Sequence, residues 1–174
     1  VPTAVAVAGV VIYNGLVIAK QSVREAWGAV DVHLQRRASL IPNLVETVKG
    51  YAQYERDTLK TVVEARGALT AASGPRAAAQ ANDTLGRAIG SVLAIAEQYP
   101  QLKANESYAK LQTDLADTEN KIAYARNYYN GAVEIYNVKV QSFPGVLVAR
   151  MGGFAPAEFF RADEAAAKPV EVRP

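Results

Sequence analysis

Cysteine is absent from the 174 residues. That removes disulfides, thiolate metal sites and cysteine nucleophiles, and leaves the redox compartment open. Histidine is almost absent too, with His33 as the single imidazole. The paired Glu-x-x-His ligation of di-iron bundles therefore cannot be assembled, and a histidine metal site would need several copies of the chain. A Ser-His-acid triad has only His33 to draw on, with no nucleophile motif near it. Beside Arg36 and Arg37, His33 is expected to be a solvated residue rather than a ligand. No Gly-rich phosphate loop occurs, and Gly152-Gly153 is too small a signal to count as one. Charge of one sign is also missing: 19 basic and 17 acidic residues interleave to a net +2, so no dedicated nucleic-acid surface is indicated. The expectation is a protein that is not an enzyme, has no catalytic residue, cofactor or metal site to name, and takes no nucleic acid partner.

What is present begins with an apolar entry. From Val1 to Ala19 no residue is charged, and Lys20 carries the first charge. Such a stretch just reaches the roughly 20 residues that cross a bilayer as a helix. It is light in Leu and Phe, contains Tyr13 and Asn14, and does not begin with Met. Residues 1–19 are expected to be part of a transmembrane helix from a processed or trimmed longer segment; a buried soluble helix and a signal-type segment are the alternatives. Membrane lipids are then the first partner.

Beyond Asn14 the pattern is helical throughout. Leu16, Val23, Trp27, Val30 and Leu34 recur at steps of four and three with Ala19 and Ala26 on the same side, the stripe of a helix packed in a bundle. Pro42 follows in LIPNLVETVKGY. A break is expected between Arg37 and Pro42, with Ser39 capping a second helix that holds Pro42 in its first turn, where a missing N–H costs little; a kink is the alternative. One unbroken helix from Tyr13 to Leu69 would run on the order of 85 Å, which favours the break. The second helix is expected over 40–72, ended by Ser73, Gly74 and Pro75. A third carries Leu85, Ile89, Val92 and Leu93 and closes at Tyr99-Pro100. A fourth runs from about Asn105 or Glu106 to Gln141, before Phe143-Pro144. The predicted fold class is all-α: an up-down bundle of about four long antiparallel helices over 13–144, entered from the apolar segment.

Residues 145–174 differ in texture, with paired glycines, several prolines and three phenylalanines. They are expected to form a C-terminal strap with a short helix over 156–162, pinned by Phe154, Phe159 and Phe160, and a mobile tail; a partner-binding tail is the alternative.

Polar residues inside the helical stripes are the remaining candidates. Tyr13-Asn14, Tyr129-Asn130 and Tyr136-Asn137 repeat one dipeptide, the last two a heptad apart, and buried hydroxyls and amides need partners. With Asn120 they are expected to form a polar network fixing register between the first and fourth helices, a ligand pocket being the alternative. Glu25, Asp31, Arg37, Glu46, Arg66, Glu119 and Arg126 flank the same stripes and are candidates for interhelical ion pairs rather than catalysis.

Several strings in order carry a family resemblance: YNGLV at 13, EAWGAVDVHLQRR at 25, LIPNLVETVKGYA at 40, ARGAL at 65, AEQYPQLKAN at 96, LQTDLADTENKIAYARNYYN at 111 and FPGVLVA at 143. Together they resemble the LemA family of bacterial and archaeal proteins over about Tyr13 to Ala149. Gly28 and Ser39 stand where serine and aspartate are more usual. The resemblance implies a single N-terminal membrane helix in the cell membrane and a helical domain on the cytoplasmic side, with some relatives associated with building magnetosome membranes. It supplies no catalytic residue to carry over.

Two functions of different kinds are consistent with these features. One is a non-enzymatic, membrane-anchored scaffold that self-associates as a homo-oligomer, with possible envelope protein partners. The other is a module binding a lipid, peptide or small molecule in an interhelical groove, with the Tyr-Asn positions as polar anchors.

Overall fold

A computed structural model describes residues 2–162. These residues are all-helical, with no strand among them: α1 (Pro2–Lys49), α2 (Arg56–Ala71), α3 (Pro75–Ala96), the single turn α4 (Pro100–Lys103), α5 (Glu106–Gln141) and α6 (Gly145–Gly152). The C-terminal tail expected to be mobile lies, from residue 163 on, outside the described residues. The helices form a bundle of two compact units. One holds residues up to Arg37 with 113–159, and the other holds 38–112 with Phe160. Helices α1 and α5 each contribute to both units.

In the first unit α1 and α5 pair. Their buried positions step by three and four residues, Ala26, Val30 and Leu34 on α1 and Leu115, Thr118, Ile122, Ala125, Tyr129, Val133, Tyr136 and Val140 on α5. That is the seam of two helices crossing at a shallow angle. Their register is antiparallel, since Trp27 meets Tyr129 and, ten residues further along α1, Arg37 meets Glu119, ten residues earlier on α5. Small Ala26, fully buried, lets the backbones approach. Trp27 sits at the seam's edge, its ring edge-on to Tyr129 at 5.4 Å between centroids.

The second unit packs the C-terminal part of α1 with α2, α3, α4 and the first turns of α5. Its core is Ile41, Leu44, Val48, Ala52, Val62, Leu85, Val92 and Leu102, all fully buried. Helices α2 and α3 are joined by the short turn 72–74, in which Gly74 takes φ 87° and Pro75 opens α3, so they pack as antiparallel neighbours. The start of α5 is capped by Asn105: its Oδ1 accepts from the Tyr108 amide at 3.0 Å, and its Nδ2 donates to the Tyr51 hydroxyl at 3.0 Å.

The expected break between Arg37 and Pro42 does not occur. α1 is continuous through Pro42, and the interruption falls at 50–55 instead. The reason is local. Proline at 42 cannot donate to the Ala38 carbonyl four residues back. The Arg66 Nε on α2 donates to that carbonyl at 2.9 Å in its place. After Lys49 the ladder closes with tight bonds, Tyr51 N–H to the Val48 carbonyl at 3.0 Å and Ala52 N–H to the same oxygen at 2.9 Å. Gly50, a poor helix former, stands at the stop.

The short helix expected over 156–162 is also displaced. It forms at 145–152, and 154–159 is non-helical. Gly153, at φ 69°, is the left-handed residue that ends α6, and Pro156 holds Ala155 out of helical geometry. The Phe154 amide closes the turn on the Ala149 carbonyl at 2.9 Å.

Candidate functional site

A set of polar contacts in the first unit joins α5 to the segment 155–158. Tyr129, Tyr136 and Asn137 supply it. The Tyr136 hydroxyl donates to the Ala155 carbonyl at 2.9 Å. Asn137 pairs with the backbone of Ala157 in both directions, its Nδ2 donating to the carbonyl at 3.0 Å and its Oδ1 accepting from the amide at 2.7 Å. The Tyr129 hydroxyl donates to the Glu158 carbonyl at 2.7 Å. A non-helical segment has backbone groups with no ladder to join, and these three side chains take them up. Burial, with the Glu158 carboxylate as a lesser cause, pushes the Tyr129 phenol up to about 12, and burial raises that of Tyr136. Both tyrosines stay protonated donors at neutral pH.

The hydroxyls of Tyr129 and Tyr136 and the amide of Asn137 thus bond to the C-terminal segment, while the Tyr129 ring meets Trp27 of α1. Tyr13 takes part through its ring, edge-on to Phe154 at 5.4 Å. Lys20 Nζ lies 5.5 Å from the centroid of the same Phe154 ring. Asn130 is half-buried, whereas Asn14 and Asn120 are exposed. What linked Tyr129, Tyr136 and Asn137 to 155–158 was not readable from periodicity, because their partners are main-chain atoms, which carry no residue-specific pattern.

Among the charged candidates, the buried Arg37 pairs with the half-exposed Glu119 at 2.6 Å, from α1 to α5. Glu25 and Asp31 instead accept from Gln21 at 3.4 Å and Gln35 at 2.7 Å on their own helix. Arg66 serves the Ala38 carbonyl, as described, and Glu46 and Arg126 lie on exposed faces. His33 is half-buried rather than solvated, with its Nδ1 closed off and without a hydrogen-bond partner. Among the described residues no group of three or more acidic or histidine side chains could hold a metal ion.

Three further surfaces bear on function. The first is the start of α1, a helix long and apolar enough to cross a membrane. Val7, Val10, Val11, Val17 and Ile18 are exposed along it, an arrangement that water penalises and lipid does not. The second is a groove of about 510 Å³ between α1 and α5 in the first unit, lined by small residues such as Ala19, Ser22, Gly131 and Ala132 and by the larger Ile18, Tyr128 and Ile135. The third lies in the second unit between α1 and α2, about 670 Å³, where Val45, Leu59 and Val63 are flanked by Lys49, Arg56 and Lys60.

Relatives include "Magnetosome protein MamQ" of Magnetospirillum gryphiswaldense, 28% identical over 91% of this chain and 68% of that protein. "Magnetosome protein MamQ 2" of Paramagnetospirillum magneticum is 26% identical over the same shares. "Protein LemA" of Metamycoplasma hominis is 22% identical over 87% of this chain and 69% of its own length. The family model described as LemA family matches residues 26–173, so the chain belongs to the LemA family.

Proposed function

We propose that this protein is a non-enzymatic, membrane-anchored scaffold that self-associates through the α1–α5 groove of its first unit. The observation that carries the reading is the composition of that groove. It is lined by the small residues Ala19, Ser22, Gly131 and Ala132 and by the larger Ile18, Ile135 and Tyr128, with Asn127 and Lys139 as its polar members. Small residues beside large apolar ones on the same face are self-complementary under a two-fold axis, ridge of one copy into groove of the other. Anchoring adds to this, since copies held in one bilayer meet at a raised effective concentration. Two relatives carry the printed name of a magnetosome protein, a setting in which a membrane-bound assembly has a place. The helical domain is assigned to the cytoplasmic side. Lys20, Arg24, Lys139 and Arg150, on the elements at the base of the apolar helix, support that side.

Gly131→Leu fills the groove. Multi-angle light scattering of the detergent-extracted protein is expected to show a concentration-dependent oligomer for the parent chain and a shift to monomer for the variant, with helical content unchanged. A parent chain that is strictly monomeric at every concentration contradicts the proposal.

A second reading has one observation in its favour. The α1–α2 groove sets Lys49 and Arg56, with Lys60 paired to Glu64 at 3.7 Å, around Val45, Leu59 and Val63, and the two remaining cations suit an acidic amphipathic ligand. A thermal shift that grows with the concentration of such a ligand, and is lost in Lys49→Glu with Arg56→Glu, supports it.

A further inference from the structure

We propose that α6 is an interfacial helix, lying in the lipid headgroup layer beside the entry of α1 into the bilayer, with Phe143, Leu147 and Met151 in the acyl boundary and Lys139 and Arg150 on anionic headgroups. The proposal rests on reading the start of α1 as the anchor and adds a second membrane contact to it.

The register of the first unit places α6. Extending the α1–α5 pairing from Trp27–Tyr129 brings the end of α5, Gln141, level with Gly15. Gly145, which starts α6, lies against the Lys139 carbonyl, level with Val17 in the same register, and at the other end a Cβ built on Gly152 would stand 3.2 Å from Cε2 of Tyr13. With its ends beside residues 13–17, α6 lies obliquely against the end of the α1–α5 pair. Ala149 is its buried side, in one cluster with Leu16, Ala19, Tyr136 and Val140. The chain then turns back at Gly153 and is fastened to α5 by Tyr136 and Asn137.

The side of α6 turned away from this cluster is apolar where a soluble helix is polar. Leu147 and Met151, four residues apart on α6 and so on one face of it, are 52% and 90% exposed, and Phe143, in the turn just before α6, is 81% exposed. Val17, exposed on α1 at the neighbouring level, adds apolar surface between this face and the anchor. The charge pattern selects the occupant. Across residues 2–20 and 135–157 the charged residues are Lys20, Lys139 and Arg150, with no acidic residue. An apolar face rimmed by cations alone fits an anionic lipid surface, into which such a helix sinks by roughly 5–10 Å. The uncharged stretch of α1 also continues to Ala19, past the residues beside which α6 lies. If the bilayer ended at Val11, Val17 would face water; with α6 in the interface it faces lipid.

The lack of cysteine permits a clean test. Single cysteines at Val7, Met151 and Val32, each carrying an environment-sensitive fluorophore, are placed in the full chain and reconstituted in vesicles of phosphatidylcholine and phosphatidylglycerol. Quenchers are a doxyl group high on the acyl chain, a doxyl group deep in it, and aqueous iodide. The expected result is blue-shifted emission at both Val7 and Met151. The shallow doxyl group quenches Met151 more than the deep one, and iodide quenches Val32 alone. A lipid-quenched Val7 with an iodide-quenched Met151 overturns the interfacial placement and leaves the anchor standing. An iodide-quenched Val7 overturns the anchor and the placement that rests on it. Leu147→Ser with Met151→Ser is a second arm: it leaves the α1 anchor intact, and a label at Phe143→Cys in that background is expected to lose its blue shift. Retention of that shift in the double variant contradicts the role of the apolar face.

Discussion

At the scale of single residues, the fold is held where a side chain answers a backbone group. Asn137 is the clearest instance, pairing with both the amide and the carbonyl of Ala157. Asn137→Leu removes two hydrogen bonds and is expected to cost about 2 kcal/mol. Chemical denaturation reads that loss, and amide exchange at Ala157 is expected to accelerate selectively. Tyr129 adds a pH dependence. Its phenol stands near 12 in the folded chain against 10.0 for an ordinary tyrosine. The stability tied to the neutral phenol is therefore fully present below about pH 10 and is lost as pH rises from there towards 12. Tyr129→Phe is expected to flatten the fall in Tm across that window, and an unchanged profile contradicts the assignment. Tyr108 is the opposite case. Its hydroxyl is buried with no hydrogen-bond partner, so Tyr108→Phe is expected to leave Tm unchanged or raise it.

At the scale of elements, Pro42 shows what a sequence reveals and what it withholds. The apolar stripes of α1 and α5 were legible because burial recurs every three or four residues. Leu16, Val30 and Leu34 occupy the core as that spacing requires. The fate of Pro42 was not legible, because it is decided by Arg66, more than twenty residues away, giving its Nε to Ala38. A double-mutant cycle tests this coupling. Arg66→Met alone is expected to cost about 1–2 kcal/mol by leaving a half-buried carbonyl without a donor. In a Pro42→Ala background the helix supplies its own N–H, and the same substitution is expected to cost about 1 kcal/mol less. Equal costs in both backgrounds contradict the explanation. The helix expected over 156–162 was misplaced for a related reason: Pro156 and the side chains of α5 hold 155–158 non-helical. The short helix formed instead in GVLVARMG, where no period long enough to recognise exists.

At the scale of the whole molecule, the all-helical class and the apolar entry were readable from hydropathy and period alone. The groove that carries the proposed self-association was not, since Ala19, Ser22, Gly131 and Ala132 are unremarkable small residues until α1 and α5 are set in register. In the proposed assembly, copies anchored in one membrane meet through this groove. Cysteine crosslinking in membranes measures it most directly. With Ser22→Cys as the only thiol, a short bis-maleimide is expected to give dimers in membranes holding the parent groove, and Gly131→Leu is expected to abolish them. A control thiol at exposed Thr61 on α2 is expected to stay monomeric. Dimers from Thr61→Cys as abundant as those from Ser22→Cys, or Ser22→Cys dimers that persist with the groove filled, would contradict it.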